Sequence, residues 1–139
     1  MTEKERSGIP APVAEAFLVC GEIWEDKHSN RMMLVAPTSH VNLPEMPAAV
    51  RLSVYARLTG GHGQYQLRLT LRDQEDEEVW TCEPHEKLVH GDPLAPHQVT
   101  FLNLAVVAQR PGKYRMVLSA GGEDIAQQTL WFTLQPQPG

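Results

Sequence analysis

Apolar and polar residues alternate with period two through the middle of the chain. Val50, Leu52, Val54, Ala56 and Leu58 alternate with Arg51, Ser53, Tyr55, Arg57 and Thr59. After Gly60-Gly-His-Gly the pattern resumes, with Tyr65, Leu67, Leu69 and Leu71 set against Gln66, Arg68, Thr70 and Arg72. Successive side chains on a strand point to opposite faces, so each half predicts a strand with one buried and one wet face. The glycines between them read as the tight turn of an antiparallel hairpin.

The same reading gives about eight strands, over residues 15–25, 31–41, 50–59, 64–72, 77–83, 97–107, 113–120 and 125–134. Glu25-Asp-Lys-His-Ser-Asn, Asp73-Gln-Glu-Asp, Arg110-Pro-Gly-Lys and Gly121-Gly-Glu-Asp supply turns between them. Asn42-Leu-Pro-Glu-Met-Pro is a crossing loop, because its prolines remove ladder donors. Residues 13–20 read either as strand or as a short helix with Pro12 at its first position. The apolar run Phe17–Cys20 closed by Gly21 favours strand. Short strands with regular turns and almost no helical period predict an all-β, two-sheet antiparallel sandwich of about seven or eight strands. Residues 1–12 read as a disordered leader, 13–135 as a single sandwich domain and 136–139 as a tail.

With 139 residues the chain is long enough for a hydrophobic core without staples, and its net charge of −5 argues against a nucleic-acid partner. No apolar run reaches the roughly 18 residues of a spanning helix, and the polar N-terminus lacks a signal-peptide core, so no membrane association is expected. A cytoplasmic location is the expectation. The two cysteines, Cys20 and Cys82, form no CxxC pair. They read as free thiols, with a disulfide requiring their strands to be neighbours.

The order of these segments resembles a family of small bacterial β-sandwich proteins of unknown function. The resemblance is carried by Ala16-Phe-Leu-Val-Cys-Gly-Glu-Ile-Trp-Glu, Met32-Met-Leu-Val-Ala, Leu43-Pro-Glu-Met-Pro-Ala and the strand from Val50. It closes with Arg110-Pro-Gly-Lys-Tyr-Arg-Met-Val-Leu and Gly121-Gly-Glu-Asp-Ile, and covers about residues 15–134. It implies an immunoglobulin-like or related sandwich and brings no catalytic motif. Gly21 stands where an acidic residue is expected after the cysteine, so any role of that acid is missing here.

Histidine placement is the pattern that carries candidate chemistry. If strands alternate in direction, the loops after the first, third, fifth and seventh share one pole. That pole would gather His28, His62, His85, His90 and His97, five of the six histidines, with Glu25, Asp26, Asp92, Glu123 and Asp124. Imidazoles and carboxylates together suit zinc or another transition metal. No pair has the tight spacing of a committed metal site, however, and loops hold histidines for solubility alone. Asp73, Glu75, Asp76, Glu77 and Glu78 fall at the opposite pole, without the spacing of a calcium loop, and read as a solvated turn. Gly60-Gly-His-Gly joins two strands and so is not a phosphate cradle, which needs a helix N-terminus.

No serine lies in a Gly-x-Ser-x-Gly elbow, and Cys82 with His85 is not a recognisable nucleophile–base pair. An enzyme is not expected, and no cofactor is implied. Tyr55, Trp80, Trp131 and the Met32–Met33 pair, with Trp24 and Met46 near loop ends, are large groups that cannot all point inward. Such side chains on a sheet face anchor other proteins. The functional expectation is therefore a non-enzymatic protein-interaction or accessory module, with a homodimer compatible through open sheet edges. The alternative is a metal- or small-ligand-binding protein using the histidine pole.

Overall fold

The computed structural model describes residues 10–29, 31–84 and 87–136. Its strands are β1 (Val13–Asp26), β2 (Arg31–Pro37), β3 (His40–Leu43), β4 (Ala48–Thr59), β5 (Gly63–Tyr65), β6 (Leu67–Arg72), β7 (Glu78–Cys82), β8 (Leu88–His90), β9 (His97–Ala108), β10 (Gly112–Ala120) and β11 (Glu123–Leu134). Sheet A has the order β2-β1-β4-β9 and sheet B the order β3-β11-β10-β6-β7, while β5 and β8 form a two-stranded ribbon. All described pairings are antiparallel except β3 with β11. The protein is an all-β, two-sheet sandwich. Residues 13–20 are strand, and the described stretch of the expected leader, 10–12, precedes it; the rest of that leader, and residues 137–139 of the tail, lie outside the described residues.

The alternation located the inner faces. Leu52, Val54, Ala56 and Leu58 of β4 meet Leu67, Leu69 and Leu71 of β6, Met116 and Leu118 of β10, and Leu130 and Phe132 of β11 in one buried core. It did not identify partners. The expected hairpin between residues 50–59 and 64–72 is absent: β4 lies in sheet A between β1 and β9, and β6 lies in sheet B between β10 and β7. Alternation reports which face is buried, not which strand lies alongside. Residues 60–66 instead carry the chain from one sheet to the other, with β5 pairing β8 on the way.

The expected strand 31–41 breaks in two at Thr38-Ser39, where the chain leaves sheet A and enters sheet B. Gln128 of β11 holds this crossing. Its Oε1 accepts the Val19 N–H at 2.8 Å and its Nε2 donates to Thr38 O at 2.7 Å. The Thr38 N–H in turn donates to Val19 O at 2.9 Å. These bonds answer a defined need, because β2 ends opposite Cys20 and leaves the β2-facing groups of Val19 without ladder partners.

Candidate functional site

The break at Thr38-Ser39 adds a reversal of direction and so corrects the expected histidine pole. β1 starts opposite Thr59, the last residue of β4, and its hairpin with β2 closes at the other end of the sandwich. His28, with Glu25 and Asp26, therefore sits at the end away from His62. There the His28 N–H donates to Asp26 Oδ1 at 2.9 Å and the Ser29 hydroxyl to Oδ2 at 2.8 Å. The Ser29 bond foremost, then that of His28, holds the Asp26 carboxyl below the usual range. His85 lies outside the described residues.

His62, His90 and His97 do fall at one end, where β4 finishes, and the last two are in contact. The His90 and His97 ring centroids are 5.8 Å apart. His90 is 2% exposed, and its Nε2 lies 3.0 Å from Ala95 O. With Nε2 as donor, Nδ1 is an acceptor, and no hydrogen-bond partner reaches it. The space beside that nitrogen is filled by Gly61, at which an added Cβ would lie 2.7 Å away. The backbone N–H of His62 donates to the Tyr65 hydroxyl, which itself donates to Pro10 O at 2.7 Å. This is close packing of the chain's start over the β5–β8 ribbon, with the His90 ring as filler.

Among the described residues, the group of three or more histidine, cysteine or carboxylate side chains able to converge on one ion is Asp73, Glu75 and Glu77, not the histidines. Asp73 already serves its own turn, accepting the N–H groups of Glu75 and Glu77 at 2.9 and 3.0 Å. The two cysteines are free and lie in opposite sheets, Cys20 on β1 and Cys82 on β7, so the disulfide alternative is closed. Burial pushes both thiols up.

The outer faces of the two sheets differ in kind. On sheet B, Arg68 pairs with Glu78 at 2.8 Å, Arg72 with Asp124 at 2.8 Å, and Arg115 with Asp76. Trp131 shows on this face too, but His40 is stacked 6.3 Å from it and the Lys113 ammonium lies 5.8 Å from its ring. A bowl of about 360 Å³ lies between these charges, lined by Gln66, Arg68, Arg72 and Asp124 among others. Both of its arginines are engaged by carboxylates across the sheet.

The outer face of sheet A carries fewer charges, with Arg57 paired to Glu15 at 3.0 Å, Arg51 donating to Asn103 O at 3.1 Å and Glu22 accepting the Trp24 indole N–H at 3.1 Å, and it adds a row of large apolar groups. Leu18 and Tyr55 are opposite one another, as are Cys20 and Ser53, and Trp24 and Met33. Trp24 is 61% exposed, Met33 64% and Leu102 58%. Beyond the Cys20–Ser53 pair, β1 no longer pairs with β4, and the gap opens a groove of about 250 Å³ lined by Gly21, Glu22, Ile23, Trp24, Ser53, Leu102 and Asn103. Leu102 reaches this rim through a bulge: Leu102 and Asn103 together oppose Ser53, Asn103 takes φ 55°, and its N–H donates to Ser53 Oγ at 3.0 Å.

Of the large side chains singled out in the sequence, Tyr55, Met33 and Trp24 are on this face. Trp80 and Met46 pack against the core, Trp80 also donating its indole N–H to Ala105 O at 3.0 Å. Met32 is half-buried. Leu18 and Leu102 were missed. The signal for Leu18 was the unbroken apolar run from Ala16 to Cys20, which leaves neither face of β1 polar. For Leu102 it was Asn103, a residue tolerant of positive φ at the bulge.

The chain belongs to a family of unknown function, DUF6941, whose profile matches residues 15–132. No curated protein matches it. Among solved structures, it is similar to an alkylpurine DNA glycosylase of Pseudomonas fluorescens bound to DNA containing an abasic site analog, with a TM-score of 0.50 and 9% identity over 88% of this chain and 30% of that one. It is also similar to an immunoglobulin-like protein from Pseudomonas aeruginosa, with a TM-score of 0.45 and 13% identity over 88% of this chain and 97% of that one. A β-glucosidase from Listeria innocua gives a TM-score of 0.43 and 16% identity over 86% of this chain and 16% of that one. The chain thus spans less than a third of the glycosylase and of the glucosidase, and at these identities the likeness is one of fold.

Proposed function

We propose that this protein is a non-enzymatic interaction module that docks a protein partner on the outer face of sheet A. The observation that carries this reading is the contrast between the two faces. Sheet B turns outward a lattice of paired charges, whereas sheet A, beside Glu22, Arg51 and the Arg57–Glu15 pair, turns outward a row of large apolar groups, Leu18, Tyr55, Trp24, Met33 and Leu102. Exposed aromatic, leucine and methionine groups around a shallow groove are the makings of a binding hot spot. The groove's volume of about 250 Å³ is below the roughly 300–1,000 Å³ of small-molecule sites, which favours a partner's side chain as its occupant.

An enzymatic role finds no support in the geometry, since the groups with shifted acidity, Cys20, Asp26, Arg72 and Cys82, are scattered over the sandwich. The excess of negative charge argues against nucleic acid as the partner. No described helix is long and apolar enough to cross a membrane. Two free cysteines suit the reducing cytoplasm. Metal or ligand binding at the histidine end is the weaker reading, because His90 is enclosed and Gly61 occupies the space beside its free nitrogen.

The test is affinity capture from the native cells, quantified by mass spectrometry, with three baits: wild type, Trp24→Glu with Leu102→Glu, and His62→Ala with His97→Ala. A partner lost only with the first pair of substitutions is the expected result. Loss only with the histidine pair would move the docking site to the other reading.

A further inference from the structure

β1 changes neighbours at Cys20. Up to that residue it pairs with β4, and from it onward with β2, so residues 21–26 have no ladder on their β4 side. Residues 48–52 of β4 likewise have no partner on their β1 side. The groove of sheet A lies in this parting, and Gly21, Glu22, Ile23 and Trp24 line one wall of it in an unbroken run. Side chains alternate between the faces of a strand, so an unbroken run means that this wall is the strand's edge, its main chain. Val19 fixes which groups that edge presents. Its N–H and C=O are both bonded on the β2 side, the C=O by the Thr38 N–H in the register of the β1–β2 ladder. Main-chain groups alternate in direction along a strand, so those of Ile23 also turn to β2, while those of Glu22 and Trp24 turn into the groove.

The rest of the lining makes its own demands. Ser53 is 4% exposed and lines the groove from β4. Its Oγ accepts the Asn103 N–H, and among the described residues no acceptor takes its proton. Trp24, Ile23 and Leu102 supply apolar walls. One carboxylate and one guanidinium flank the groove, Glu22 bonded to the Trp24 indole and Arg51 to Asn103 O. Those two charges balance, so an uncharged occupant complements the site.

Taking the docking face proposed above as given, we infer that the groove receives an extended, uncharged segment of the partner's chain, laid along β1 as an added strand. The segment's main chain bonds the N–H and C=O groups of Glu22 and Trp24, which the parting of β1 from β4 leaves without a ladder. A carbonyl of the segment accepts the Ser53 O–H. One apolar side chain settles between Trp24 and Leu102, in the part of the groove those residues wall. Peptide backbone with an apolar side chain meets all three demands, whereas a small apolar molecule meets only the last.

Random peptides displayed on phage and selected on the full chain supply the probe. Selection should enrich uncharged peptides with alternating apolar residues. A synthetic copy should bind wild type and bind Leu102→Lys at least about tenfold more weakly. Leu102 is exposed, and an unchanged thermal midpoint shows that the variant keeps its fold. Bound peptide should slow amide hydrogen exchange at Glu22 and Trp24 more than at Ile23, which β2 already holds. Failure to select any peptide overturns the added strand. So does a peptide that binds Leu102→Lys like wild type, or one that leaves the Glu22 and Trp24 amides unprotected. Failure of the docking face itself shows in the capture experiment, as a partner retained by Trp24→Glu with Leu102→Glu. A partner lost there, with no peptide selected here, sinks the added strand alone.

Discussion

Replacing Gln128 with methionine keeps the length of the side chain and removes both bonds that hold the sheet crossing. Val19 is fully buried, so its N–H, now supplied by Gln128 Oε1 at 2.8 Å, would lose its partner where water does not reach. An orphaned buried donor costs about 1–3 kcal/mol. Thr38 is half-buried, so its carbonyl, which Gln128 Nε2 reaches at 2.7 Å, recovers part of its loss from solvent. The sum is roughly 2–3 kcal/mol, a fall of roughly 6–15 °C in midpoint for a chain of this size. Urea unfolding at constant slope, with a parallel melt, measures it.

Gln128→Glu separates the two bonds. Its carboxylate still accepts from Val19 but sets negative charge against Thr38 O, whereas the protonated acid can donate there. The folded state thus favours the proton, raising the introduced group's pKa, so the stability added by protonation is present at low pH and lost as pH rises through that value. The deficit of this variant relative to wild type should narrow on acidification. A loss below about 0.5 kcal/mol for Gln128→Met, within the range of an ordinary surface change, would refute the clamp.

Leu69 is fully buried at the centre of the core, so Leu69→Ala should cost about 2–5 kcal/mol in urea unfolding. A cost below about 1 kcal/mol would refute its placement there. Gly61→Ala should destabilise by about 1–3 kcal/mol, because the new Cβ would fall 2.7 Å from His90 Nδ1 and 3.2 Å from the Pro12 ring. Gly91→Ala, where nothing lies within 4 Å, is the control and should be close to neutral. The raised thiol pKa values of Cys20 and Cys82 mean that the folded chain holds those protons more tightly than the unfolded chain. Their contribution to stability is therefore complete below the unfolded thiol pKa and lost as pH rises from there through the raised folded value. Alkylation at neutral pH should be slow for both and faster in urea, with mass spectrometry assigning each site; rapid labelling of native Cys20 would contradict its burial.

Period-two alternation reports a local property, the side on which a residue is buried, and the inner faces of β4 and β6 were legible for that reason. Partner choice is non-local. Val50–Thr59 and Gln64–Arg72 alternate equally well as a hairpin or as strands of facing sheets, and the glycines between them serve either connection. The sheet switch at Thr38-Ser39 was hidden because its bonds come from Gln128, about ninety residues downstream. Missing that one reversal misplaced His28. Bulges hide in the same way: the extra residue at Asn103 carries Leu102 to the surface and sets Leu104 opposite Leu52, whereas strict alternation would put the two leucines on one face.

What the sequence did carry, in a form easy to pass over, is the asymmetry between the two outer faces. β6 spends its outward positions on Arg68, Thr70 and Arg72, and each arginine finds a carboxylate across the sheet. β1 spends its own on Leu18, Cys20, Glu22 and Trp24, the glutamate accepting the indole N–H. In a two-layer sandwich no further layer covers such a strand, so its apolar outer side either lowers solubility or meets another surface. The exposed row of Trp24, Met33 and Leu102 is therefore the physical ground for the proposed partner docking on sheet A.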